Sequence, residues 1–225
     1  MAVAVTVAVT VAIIGLSHRR ALSGRFLVPA PTVVADPVLL RLGAVACIAM
    51  VPAFVAGVPV QWPAAAAAGA LALAFARRRP GALRWSLLPW RLVLLVMGLF
   101  LAVTAAGEHG LDAALGHAAG TSGSGVGVLR TAVVGAGASN VVNNLPAYLA
   151  VERVADGSTT QLLGLLVGTN VGPLVTLWAS LATLLWRDRC LARGVRIGAG
   201  RFALTGLAGL PLLLGGAWAA LLATH

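Results

Sequence analysis

Lysine is absent from the 225 residues, acidic side chains number only six, and the two cysteines are nearly as sparse. Each shortage excludes something. Without lysine, the glycine-rich stretch at 120 to 127 cannot be a nucleotide-cradling loop and reads as an external turn. Cys47 lies within an apolar run and Cys190 within a basic loop, so the pair supplies neither a disulfide framework nor a closed metal site. His18, His109, His117 and His225 fall in loops or at the terminus, and none has a partner at metal-ligand spacing. No nucleophile accompanies a base and no cofactor fingerprint is present, so we expect no catalytic residue, metal or cofactor, and no enzyme.

Charge is the scarcest commodity of all. Only 10% of residues are charged while 60% are hydrophobic, with a mean hydropathy of +0.96. So few charges cannot clothe a soluble exterior, and the outside must face lipid. The net charge of +10 would suggest nucleic acid in a soluble protein. Here nearly all the arginines sit between apolar runs, which makes membrane topology the simpler reason and argues against nucleic acid as a partner.

Apolar runs recur at about 2 to 16, 38 to 59, 63 to 76, 92 to 107, 126 to 151, 161 to 186 and 202 to 222. This predicts an all-α polytopic integral membrane protein, one membrane domain over 1–225, in the plasma (inner) membrane. Arg19 and Arg20 follow the first run, which fits an anchored span better than a cleaved signal. That run and the one at 63 to 76 are short: sixteen helical residues reach about 24 Å against a hydrocarbon core of about 30 Å.

Arginines gather in loops 17–36, 77–91 and 187–201, which the positive-inside rule makes cytoplasmic. The segments holding Glu108, Asp112, Glu152 and Asp156 contain one arginine, Arg153, and read as external. If the run at 126–151 crossed the bilayer, loop 187–201 would land outside. All three basic loops share a side only if that run enters and returns outside, so we expect about six crossings, a re-entrant hairpin at about 126–151 and a broken helix at about 161–186. Glu108 and Asp112, one helical turn apart, could bind a proton near the external mouth, although solvated carboxylates are the commoner case.

Non-helical backbone at membrane depth requires a cavity or protein to satisfy it. Gly135, Gly137 and Pro146 flank Ser139, Asn140, Asn143 and Asn144 at the expected hairpin tip, and Gly168, Thr169, Asn170, Gly172 and Pro173 interrupt the next run. Pro146, Gly168 and Pro173 are the expected structural breaks. If local helix persists, Ser139 shares a face with Asn143, and Asn140 with Asn144. Neutral donors and acceptors at close range suit a polyhydroxylated or oxyanionic solute; the plainer alternative is that these amides bond neighbouring helices and the hairpin backbone. Trp62, Trp85, Trp90 and Trp186 suit interfacial anchoring, whereas Trp178 and Trp218 read as packing residues.

SNVVNNLPA at 139–147 and GTNVGPLVTLWASLATLLW at 168–186 resemble the signatures of arsenite and antimonite efflux permeases, in the ion transporter superfamily. Pro89 and Trp90, opening a span with Gly98, fit the same pattern, and Ala179 stands where a glycine is usual. The resemblance is most specific over 139–186. It implies half of an inverted-repeat transporter, the C-terminal one, since family members carry two such halves. It also implies substrate contacts by Ser139, Asn140, Asn143, Asn144, Thr169, Asn170 and Gly172. The implied activity is efflux of the neutral trihydroxide by proton-coupled antiport. The implied partners are a small inorganic solute, the lipid bilayer, and a missing N-terminal half, a second copy or a soluble ATPase. Two rivals stay open: a cation-coupled carboxylate or anion transporter of the same superfamily, and a non-transporting membrane scaffold or partner subunit.

Overall fold

The computed structural model describes residues 2–17, 19–24, 34–120, 123–155 and 158–224. His18, Arg25, Asp156 and His225 lie outside the described residues. All regular structure among the described residues is helical, as a polytopic membrane protein requires, because only a helix or closed barrel satisfies its backbone within lipid. Four stretches are long and apolar enough to cross: Pro37–Val55, Trp90–Ala119, Gly125–Val142 and Ala199–Leu222, with Val3–Leu16 shorter. The chain divides into two units, one of residues 1–24 and 90–225, the other of residues 25–89.

The first unit contains α1 (Ala2–Ser17) and the short α2 (Arg19–Leu22). The second unit is an antiparallel pair, α3 (Pro37–Val55) and α4 (Gln61–Arg78). Asp36 caps α3 by accepting from the amides of Val38 and Leu39 at 3.0 and 3.2 Å, and Pro37 occupies the first position, where its missing N–H costs nothing. Arg78 closes the pair with a 2.9 Å ion pair to Asp36, and Arg79 donates to the Ala35 carbonyl at 2.7 Å. The Arg78 hydrogen bond holds the Asp36 carboxyl below the usual carboxylate range, so the cap is ionised at neutral pH. Residues flanking the alanine-rich run lengthen α4 to 18 residues, about 27 Å, which narrows the shortfall expected there without removing it.

The first unit continues with α5 (Trp90–Ala106), which kinks into α6 (Asp112–Ala119). At the kink His109 leaves helical geometry and Gly110 takes φ 101°, a value glycine adopts freely. Glu108 and Asp112 are therefore not one regular turn apart, and Asp112 folds back against Gly107. Next come α7 (Gly125–Val142), α8 (Asn144–Glu152), α9 (Thr159–Val171), α10 (Leu181–Leu191) and α11 (Ala199–Leu222).

Val151 and Tyr148 of α8 pack with Val134 of α7, Leu165 of α9 and Ala119, so α8 turns back along α7. Arg153 at the end of α8 donates to Thr104 of α5 at 3.2 Å. α9 then runs parallel to α7: Gly164, Gly168 and Gly172 meet Val128, Ala132 and Ala136 in the same order. A Cβ on Gly168 would lie 2.1 Å from the Ala132 carbonyl oxygen, so these backbones touch where any side chain would separate them. Gly168 thus sits inside α9 rather than at a break; close approach, not flexibility, explains it. Pro146 likewise lies in the first turn of α8, where proline is tolerated.

α11 runs antiparallel to α1 and α7: Gly216 meets Val5, Gly209 meets Ile13, and Trp218 donates to the Gly125 carbonyl at 2.7 Å. Trp186 of α10 lies 6.2 Å from Phe202 near the start of α11. These directions place Arg19, Arg20, Arg91 and the arginines of 187–201 toward one end of the unit. Glu108, Asp112, Glu152, Arg130 and Arg153 lie toward the other.

Candidate functional site at the paired helix breaks

α7 stops at Val142 because the next residue leaves helical space: Asn143 has φ 85° and ψ 150°. That region is essentially reserved for glycine and costs a side-chain-bearing residue about 1–3 kcal/mol. Among the described residues Asn143 is alone in combining a side chain with positive φ. α9 ends at Val171, and residues 172–180 run non-helically past the α7–α8 turn before α10 begins. Two helix C-termini and two N-termini therefore meet around one strained residue, exposing amides and carbonyls together.

Asn140 stitches the two breaks. Its Nδ2 donates to the carbonyls of Ala136 and Gly172, both at 2.8 Å. Its Oδ1 accepts from the amides of Val175 and Thr176 at 3.2 and 2.9 Å, and the Thr176 hydroxyl donates to the Asn140 carbonyl at 3.0 Å. This side chain has no donor left to offer a solute.

Asn143 differs. It is fully buried, its Nδ2 donates to the Trp178 carbonyl at 2.8 Å, and its Oδ1 has no hydrogen-bond partner. A buried amide oxygen without a donor costs about 1–3 kcal/mol, and this atom can accept from an N–H or O–H. The amide of Asn144 donates to the Ala179 carbonyl at 2.8 Å, which fixes the mouth of α8, and its side chain is half-buried.

The other expected residues divide. Ser139 and Thr169 are buried and donate to carbonyls of their own helices, Gly135 at 2.7 Å and Leu165 at 2.9 Å. Gly172 lies where a Cβ would be 2.4 Å from Ala136 Cα, so it packs the seam. Asn170 is exposed, donates to the Leu166 carbonyl at 2.8 Å, and lines a groove of about 480 Å³ with Val3, Val7 and Leu221, away from Asn143. The expected pairings of Ser139 with Asn143 and Asn140 with Asn144 assumed continuous helix, which the Asn143 backbone breaks. Trp178, expected as span packing, is exposed in the non-helical segment and works through its carbonyl.

Three contributors escaped sequence reasoning. Thr176 and Trp178 act through backbone groups in a segment whose course periodicity does not reveal. Arg130 stands within the apolar run of α7 and caps α6 by donating to the carbonyls of His117 and Ala118. Its isolation among apolar residues was the available signal. The break is also not central: Gly206 of α11 meets the Leu174 carbonyl, about 10 Å along the helix from the arginine-rich end and about 24 Å from the other.

Against known proteins, a sequence model of a family described as arsenical pump membrane protein matches residues 39–217. An arsenical pump membrane protein of Escherichia coli K12 is 28% identical over 190 residues, covering 76% of this chain and 44% of the relative. One from Escherichia coli is 29% identical over 197 residues, covering 79% and 46%, and one from Yersinia enterocolitica is 28% identical over 197 residues, covering 76% and 44%. The chain spans less than half the length of these relatives. No solved structure matches it.

Proposed function

We infer that this chain, which belongs to the arsenical pump membrane protein family, supplies one solute-binding half of a transporter that expels arsenite or antimonite as the uncharged trihydroxide in exchange for entering protons. The observation that carries this reading is the buried, unpartnered Oδ1 of Asn143 beside four converging helix ends. A hydroxyl of the solute would donate to that oxygen. An uncharged solute suits a site whose seven expected residues carry no charge. Arg130, the cation on α7, is committed to the end of α6, so it does not favour the carboxylate-carrying alternative.

In this reading α7 and α8 form a re-entrant hairpin, and the arginine-rich end faces the cytoplasm. The site then lies nearer the cytoplasmic face, where solute destined for export is loaded. The second half of the cavity comes from the segment by which the relatives exceed this chain, joined to it or supplied separately. No covalent step is involved.

The test is arsenite retention in cells stripped of their own efflux system, with this chain alone or with the other half of a relative. Lower retention than in empty cells, abolished by Asn143→Ala at equal membrane level, is expected. Unchanged retention in both arrangements, with the chain inserted, would overturn the proposal.

A further inference from the structure

The α3–α4 pair carries an open apolar groove of about 630 Å³, lined by Leu39, Gly43 and Cys47 on one side and Leu71 and Phe75 on the other, with Arg79 at its mouth. Gly43 faces open space there: a Cβ on it would meet nothing within 4 Å. From Asp36 at the mouth to Cys47 the α3 wall runs eleven residues, or about 16 Å. One leaflet of hydrocarbon is about 15 Å deep, so the groove matches an extended acyl chain from headgroup level to midplane.

The mouth is built for an anion. Arg79 lines it, Arg84 follows two residues after Ala82, another groove residue, and the single carboxylate there, Asp36, is already neutralised by Arg78. Arg79 spends one guanidinium N–H on the Ala35 carbonyl and keeps others to give. Trp85, 79% exposed beside Arg84, belongs at the interfacial level where aromatic rings settle. An apolar slot one leaflet deep, ending in excess guanidinium groups at that level, is the pattern by which membrane helices hold acidic lipids.

We propose that the α3–α4 groove binds an anionic phospholipid, one acyl chain lying along Gly43 and its phosphate held by Arg79 and Arg84. The site lies wholly within the second unit and uses no residue of the proposed solute site, so either can fail alone. The charge supplies the preference over zwitterionic lipid, and the groove supplies the preference over free phosphate.

Native mass spectrometry of the purified full chain in neutral detergent, with phosphatidylglycerol or phosphatidylcholine of identical chains added, tests it. Phosphatidylglycerol should be retained over phosphatidylcholine, and inorganic phosphate should not displace it. Arg79→Gln and Arg84→Gln, both at exposed positions, should each lower occupancy on the order of fivefold, the usual effect of one basic side chain at an acidic lipid surface. Gly43→Phe should empty the groove, whereas Gly98→Phe, an equal bulk at an open position on α5, should not. Equal retention of the two lipids, displacement by phosphate, or indifference to Gly43→Phe would each overturn the assignment.

Discussion

At the level of single residues, Asn143 and Asn140 have the same side chain and opposite situations. Asn140 is saturated on both its amide nitrogen and its oxygen, so its role is to hold the two breaks together. Asn143 bears a strained backbone and a buried oxygen without a partner, a combination with no structural benefit of its own. Substituting glycine separates the two properties. Asn143→Gly relieves about 1–3 kcal/mol of strain and loses one hydrogen bond of about 0.5–1.5 kcal/mol, so thermal unfolding in detergent should change little while arsenite efflux is lost. Asn143→Ala keeps the strain and loses the bond, and should be measurably less stable than the glycine variant. A glycine variant that still pumps would remove Asn143 from the site. Asn140→Leu should behave differently, unfolding the α7–α9 seam, because it abandons the half-buried amides of Val175 and Thr176 and the carbonyls of Ala136 and Gly172 at once.

At the level of elements, the parallel contact of α7 and α9 is the most extensive helix pairing in the first unit and depends on glycines spaced four apart. Gly168→Ala places a methyl 2.1 Å from the Ala132 carbonyl oxygen and should cost at least the upper end of the roughly 1–3 kcal/mol typical of overpacking. Gly137→Ala, on the same α7 but facing open space, should be neutral or gain up to about 1 kcal/mol from helix propensity. Equal melting of the two variants would show that the seam is looser than its geometry. The spacing of Gly164, Gly168 and Gly172 was visible in the sequence, but not its partner: glycine reads equally as a break or as a close contact until a neighbour is placed beside it. The same ambiguity moved the expected break from Gly168 to Gly172, since Thr169, Asn170 and Val171 remain helical against α7. Apolar runs, the α7–α8 interruption near the asparagines and the non-helical stretch after Pro173 were legible, because burying apolar faces and breaking helices leave compositional traces. The strain at Asn143 and the saturation of Asn140 were not, because φ leaves no trace in composition and most of Asn140's partners, at Gly172, Val175 and Thr176, lie 30 or more positions away.

For the whole molecule, charge and chain direction converge. The helix directions in the first unit carry Arg19, Arg20, Arg91 and the arginines of 187–201 to one end, while the acidic residues Glu108, Asp112 and Glu152 lie at the other. The proposed re-entry predicts that Thr159 and Glu108 face the same compartment, whereas if α7 and α8 together crossed the bilayer they would face opposite ones. Single cysteines at these positions, in a chain with Cys47 and Cys190 replaced, distinguish the cases. With a membrane-impermeant maleimide on intact cells, Glu108→Cys and Thr159→Cys should both be labelled. Native Cys190, half-exposed at the end of α10 and kept in a separate chain with Cys47 alone replaced, should react only in inverted vesicles. Labelling of Thr159→Cys from the side that reaches Cys190 would replace re-entry with a crossing and leave the arginines of 187–201 facing outward, against the asymmetry that orients membrane helices.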